Sequence, residues 1–167
     1  MADLTQNVIT VDKNEGQELS VAGNTYRVII SGKQTAGSFA VIDMLVPPGG
    51  GPAPHAHPDF QESFYVVEGQ VDFKSESGNY SAKAGSFVNI PLGGIVHCFK
   101  NTTTTAAHLL CTVIPAGLEE FFQEIGKPVQ SSGLSLPTPD LSIEEKERLK
   151  TVAEKYGQRL YPPDYLD

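Results

Sequence analysis

The sequence predicts an all-β fold, an antiparallel sandwich or barrel followed by short C-terminal helices, and three observations support it. From about residue 17 to 115, short runs rich in Val, Ile, Phe, Tyr and Thr are punctuated by Gly, Pro and Asn. No long helical periodicity interrupts those runs. After Pro115 the pattern changes to apolar residues at i, i+3, i+4 and i+7, the spacing of one helix face.

The elements follow in chain order. Residues 1–16 form an N-terminal segment whose start, Met1-Ala2-Asp3-Leu4-Thr5-Gln6-Asn7, has neither a basic beginning nor an apolar stretch. No secretory signal is therefore expected, and a cytoplasmic location is the default. Strands are expected at Glu18 to Ala22, Thr25 to Ser31, Ser38 to Val46, Phe60 to Glu68, Val71 to Ser75, Tyr80 to Ala84, Ser86 to Ile90, Ile95 to Asn101 and Ala106 to Ile114. Ala22-Gly23-Asn24, Glu68-Gly69-Gln70 and Ser77-Gly78-Asn79 supply the turn chemistry that hairpins between them require. Leu118, Phe121, Phe122 and Ile125 then mark a short helix that Gly126 and Pro128 stop. Lys127 to Asp140, rich in Pro and Ser, reads as a surface connector. Ser142-x-x-Glu145 is a capping box for a second helix, with Ile143, Leu149, Val152, Ala153 and Tyr156 apolar and an end near Gly157. The domain plan is a barrel over 17–115 and a helical extension over 116–167 that packs on the barrel or on a second subunit.

A chain of 167 residues can build one core without staples, and two domains are not expected. The net charge of −8, with no stripe of Lys and Arg, would repel a phosphate backbone, so nucleic acid is excluded as a partner. No apolar run approaches the ~20 residues that span a bilayer, so no membrane is expected either. Cys98 and Cys111 lie in apolar strand-like runs and read as free buried thiols.

Chemistry concentrates in two runs, Gly49-x5-His55-x-His57-x4-Glu62-x6-Gly69 and Gly85-x5-Pro91-x-Gly93-x3-His97-x3-Asn101. His55 and His57, two apart, leave the same face of an extended strand and converge. Glu62 lies at an odd offset from His57, so the turn-prone Pro58-Asp59 must reset the register before the carboxylate can rejoin the histidines. His97 then comes from a later strand brought alongside. Three imidazoles and one carboxylate suit a divalent first-row ion and suit calcium or magnesium poorly. The expected cofactor is one divalent transition metal ion: iron, manganese, nickel, cobalt, copper or zinc. His108, the remaining histidine, shares parity with Ala106, Leu110, Thr112 and Ile114 and reads as a packing position.

These two runs resemble the paired motifs of the cupin superfamily over roughly residues 38–114. The first matches at every signature position. The second has three residues between Gly93 and His97 where the family pattern has two. The resemblance implies a small jelly-roll barrel and a metal held by His55, His57, Glu62 and His97. The whole-chain layout is similar to bacterial single-cupin proteins described as quercetin dioxygenase-like. It implies oxygenation of an enolisable aromatic or diketone-like small molecule, with Glu62 as catalytic base. A metal-dependent isomerase or lyase that uses the ion as a Lewis acid, and a binding protein without catalysis, are the alternatives. Around the site, Phe64 and Val66 share the face of Glu62, and Phe99 shares that of His97. Either Phe39, Val41 and Leu45 or Ala40, Ile42 and Met44 complete the wall, which suits an apolar or aromatic substrate. Lys100 should point away from the pocket. A homodimer is expected, paired through edge strands or through the apolar helix faces after Pro115.

Overall fold

The structure, a computed structural model, describes residues 7–129 and 141–167. Expectations for the first six residues, and for the connector from 130 to 140, lie outside the described residues. Two antiparallel sheets enclose one core. The larger contains β1 (Glu18–Val21), β2 (Asn24–Ile30), β3 (Ala40–Val46), β5 (Gln61–Glu68), β8 (Phe87–Ile90), β10 (Ala107–Ile114) and β11 (Lys127–Pro128), in the order β11-β1-β2-β3-β10-β5-β8. The smaller contains β4 (His55–Ala56), β6 (Gln70–Ser75), β7 (Gly78–Lys83), β9 (His97–Lys100) and β12 (Arg159–Leu160), in the order β12-β4-β9-β6-β7. This is an all-β jelly-roll barrel with two short helices, α1 (Leu118–Ile125) and α2 (Ile143–Lys155).

Period-two patterning sets the inward faces. Along β3, Ala40, Ile42, Met44 and Val46 are buried, while Val41, Asp43 and Leu45 are partly exposed. β10 pairs with β3 and β5 and buries Ala107, Leu109, Cys111 and Val113. Between the sheets, Phe64, Phe73 and Phe99 form a triangle of rings with centroids 5.3–5.4 Å apart, a spacing that favours tilted and edge contacts. The β9 alternation leaves Lys100 exposed, as its parity with His97 requires.

Both helices lean on the barrel. Leu118, Phe121 and Phe122 of α1 are buried, and Phe122 meets Tyr26 of β2 edge to face at 4.9 Å. The buried Glu119 carboxylate accepts from Gly32 N at 2.6 Å and Gly117 N at 2.7 Å, which ties the loop before β3 to the start of α1. The capping box of α2 forms in full: Ser142 Oγ accepts from Glu145 N at 3.2 Å, and Glu145 Oε2 accepts from Ser142 N at 2.9 Å. Lys155 Nζ and Tyr156 Oη donate to Glu124 Oε2 and join α2 to α1.

Four details differ from the sequence reading. β4, β11 and β12 are two-residue strands too short to carry a periodic signal. Lys127 and Pro128, read as connector, pair with β1 at a sheet edge, where a proline's missing N–H does no harm. Ile143 is exposed rather than on the packed side of α2, because burial there begins with Leu149 and centres on Val152 and Ala153. His108 lies on the outward, partly exposed side of β10, opposite to the buried set, where it pairs with Asp43 and Asp43 pairs with Arg27 at 2.9 Å. Among the described residues no helix is long and apolar enough to cross a membrane.

Candidate metal centre

His55 opens β4 and lies directly opposite His97 of β9 in the smaller sheet. His57 follows β4, and Pro58 and Asp59 form the turn that leads into β5 of the larger sheet, where Glu62 points inward. Both faces of the barrel thus contribute to one point. Gly93 and Gly94 both take positive φ, 117° and 82°, and absorb the extra residue of the second motif. Gly93 N donates to Pro58 O at 3.2 Å, so this turn packs against the one that aims Glu62.

All four side chains are buried, and one donor atom from each lies within 4.8 Å of the others. His57 Nε2 is 3.1 Å from Glu62 Oε2 and 3.2 Å from His97 Nε2, and His97 Nε2 is 3.5 Å from Glu62 Oε2. Ligands ~2.1 Å from one ion stand roughly 3.0 Å apart at right angles and roughly 3.4 Å apart at tetrahedral angles. The spacing fits.

The imidazole orientations fit as well. Nδ1 of His55 meets Ala53 O at 2.9 Å, Nδ1 of His57 meets Phe60 O at 3.0 Å, and Nδ1 of His97 meets Ile95 O at 3.0 Å. Each backbone carbonyl accepts a hydrogen bond from Nδ1–H, which leaves Nε2 as the metal-donor atom and fixes the ring. Phe60 also stacks on His57, with centroids 4.2 Å apart and planes 12° apart. On the other side of Glu62, Cys111 Sγ donates to Oε1 at 3.2 Å.

Burial and the neighbouring His97 push the His55 imidazole down to about 3, so it stays neutral. Burial works against ionised Glu62, yet hydrogen bonds from His57 and His97 outweigh it and hold the carboxyl well below the usual range. Burial also works against protonated His57, and the Glu62 carboxylate overcomes it and raises that imidazole. The Cys111 thiol is driven up by burial and by Glu62, so it remains a donor.

A cavity of about 280 Å³ opens beside His55 and Glu62. Of the wall residues expected from the sequence, Phe64, Phe99 and Met44 border it. Of the alternatives left open for β3, the buried set is Ala40, Ile42 and Met44. Phe39 is corrected: it precedes β3 out of phase with the buried residues and is 36% exposed. Val66 is corrected too, since it is buried opposite Leu109 but does not border the cavity. Sequence reasoning missed Tyr26, which shares the inward side of β2 with Asn24, and it missed the helices as wall. Leu118, Phe121 and Phe122 complete the apolar lining. Burial pushes the Tyr26 phenol far above its ordinary range, so it keeps its proton.

A barrel with three imidazoles and a carboxylate converging between its sheets defines a metal-site β-barrel. Residues 42–113 match the family model described as Cupin domain, which shows a cupin domain over that part of the chain. The chain is 25% identical over 120 residues to the quercetin 2,3-dioxygenase of Bacillus subtilis, covering 72% of this chain and 35% of that protein. The chain therefore spans about a third of the length of that curated relative. Among solved structures it is similar to a predicted oxalate decarboxylase from Thermotoga maritima, with a TM-score of 0.60 and 20% identity, covering 64% of this chain and 99% of that one. It is also similar to the polyketide cyclase RemF from Streptomyces resistomycificus, with a TM-score of 0.58 and 19% identity, covering 84% and 92%. These structural likenesses establish the fold.

Proposed function

We propose that this protein is a metal-dependent dioxygenase acting on an enolisable aromatic or diketone-like small molecule. The observation that carries the proposal is the opening of the buried three-histidine, one-glutamate cluster onto a cavity walled by Tyr26, Phe64, Phe99, Phe121 and Phe122. The curated relative, itself a quercetin 2,3-dioxygenase, supports the same reading.

When bound, a divalent transition ion would supply a Lewis-acidic centre that lowers the pKa of a ligated hydroxyl and is able to exchange electrons with dioxygen. The chain's own residues do the rest. His55, His57 and His97 present Nε2 atoms whose rings are fixed by backbone carbonyls. In this reading Glu62, whose Oε2 lies beside His57 and His97, takes the substrate's hydroxyl proton. Its other oxygen is steadied by the Cys111 thiol. The aromatic wall orients a flat ring and excludes water.

Protein loaded without oxygen with iron, manganese, nickel or cobalt should consume dioxygen when given a flavonol or a 1,3-diketone. Absence of uptake with every metal across such a panel would sink the dioxygenase. A Lewis-acid isomerase or lyase is the second reading, favoured by a donor set that equally suits redox-silent zinc. Turnover under nitrogen by the zinc form would establish it instead.

Pairing of two copies belongs to the same proposal. The apolar side of α1 is buried on the barrel, which leaves the outward face of the larger sheet, with Tyr65, Val67, Phe87 and Ile114 exposed, as the surface for a second copy. Sedimentation at micromolar concentration should show a dimer, and Tyr65→Lys with Phe87→Lys a monomer.

A further inference from the structure

Two buried side-chain atoms lack a partner among the described residues, Asn24 Oδ1 and Gln158 Nε2, and both residues border the cavity. Asn24 has a local explanation. Its Nδ2 donates to Val21 O at 3.1 Å, and its Oδ1 sits against Gly50, where an added Cβ would stand 2.6 Å away. Its amide closes the turn between β1 and β2.

Gln158 has no such explanation. It is buried to 5% exposure in a lining that is otherwise largely apolar. A carboxamide N–H removed from water without an acceptor is costly, and a leucine or methionine would fill the same space without that cost. The backbone around it is fixed. Gln158 N donates to Ala153 O at 2.9 Å where α2 ends, and two residues later Leu160 of β12 lies opposite His55 of β4. Arg159 between them is exposed, so Gln158 and Leu160 share the inward side, and both border the cavity with His55 and Glu62.

We propose that Gln158 is a specificity-determining residue, whose carboxamide turns to donate its N–H to an acceptor oxygen on the ligand while a second ligand oxygen faces the four-donor cluster. The ligand class is thereby narrowed to flat aromatic molecules that carry a hydroxyl at one end and a carbonyl-type acceptor away from it. Purely hydrocarbon extensions at that position leave the buried donor unpaired and are rejected. The assignment rests on the aromatic-pocket reading above and is independent of whether oxygen is consumed.

The test uses the full chain loaded with zinc, so that no probe is oxidised, and compares para-hydroxybenzophenone with para-benzylphenol by calorimetric titration. The two differ only in a carbonyl against a methylene. Gln158→Met, which keeps the length and lacks the donor, should reduce the preference for the ketone by about tenfold while metal content stays unchanged. Gln158→Glu, which keeps the shape and presents carboxylate acceptors, should reduce it further, because the ketone oxygen then faces acceptors alone. These paired affinities separate recognition from a packing role, because loss of packing would weaken both probes alike. An unchanged ratio in both variants, with the probes still binding, would overturn the Gln158 assignment and leave the aromatic pocket standing. Failure of para-hydroxybenzophenone to bind the zinc-loaded wild type would overturn the pocket reading, and this assignment with it.

Discussion

At the scale of single residues, the site's chemistry turns on one proton. In the metal-free protein, His57 directs Nδ1 at Phe60 O and Nε2 at Glu62 Oε2, and its imidazole is raised above the ordinary range by the carboxylate despite burial. A raised pKa means that this ring holds its proton to higher pH than a free histidine does, whereas a metal requires Nε2 bare. Metal binding must therefore release a proton from His57, and affinity should rise with pH through the raised pKa. His55, already neutral down to about 3, contributes no such dependence. Calorimetry of zinc binding in buffers of different ionisation enthalpy should show proton release near neutral pH, and His57→Gln should abolish it. A release that persists in His57→Gln would refute the assignment. The ligand set has a blunter check: His55→Ala combined with His57→Ala should remove stoichiometric metal while the circular dichroism of a folded barrel remains. Retention of full metal by that double variant would rule out the four-donor cluster as the site.

At the scale of elements, the two motifs stitch the sheets together as well as supplying ligands. Asn101, fully buried, donates through Nδ2 to Val46 O and Thr105 O and accepts through Oδ1 from Thr103, while its backbone exchanges hydrogen bonds with Gly49 and Gly50. The glycine loop runs so close to β9 that a Cβ on Gly51, at φ +134°, would stand 2.0 Å from Phe99 O. Gly51→Ala should accordingly destabilise the fold by more than about 3 kcal/mol, because strain adds to a clash with backbone. Gly78→Ala, at φ +124° with open space around it, should cost only about 1 kcal/mol. Urea unfolding of both variants checks this, and equal losses would refute the close-approach account. The same region shows what the sequence makes legible. Strand parity and the Pro58-Asp59 turn suffice to bring His55, His57 and Glu62 together, since the information is local. Tyr26, Cys111 and Gln158 escape such reasoning, because their places beside the cluster depend on the register of strands far apart in the chain. The phase of β3, which excludes Phe39 and admits Met44, was left open for a related reason: alternation tells that two faces exist, and only the pairing of Met44 with Tyr26 and Leu109 tells which is inward.

At the scale of the whole molecule, the C-terminal stretch acts as a strap across the metal-bearing edge of the smaller sheet. β12 pairs with β4, Tyr161 N donates to Pro54 O at 2.9 Å, and Tyr165 Oη donates to Glu76 at 3.2 Å. The exposed Lys74–Asp167 pair adds little, as surface ion pairs generally do. Without the strap, β4 would be a two-residue edge strand held only by β9, and the inward wall formed by Gln158 and Leu160 would be missing. The buried core is built from the barrel strands, α1 and Val152 and Ala153 of α2, and the strap adds to it only the partly buried Leu160. Deleting residues 158–167 should therefore leave a folded protein whose metal escapes to a chelator at least about tenfold faster, with hydrogen exchange accelerated at residues 54–57 and unchanged in β3 and β10. Unaltered metal release with unaltered exchange at His55 would mean that the ligand strand is held by the barrel alone, and that the strap is a cover over the cavity with no part in holding the metal.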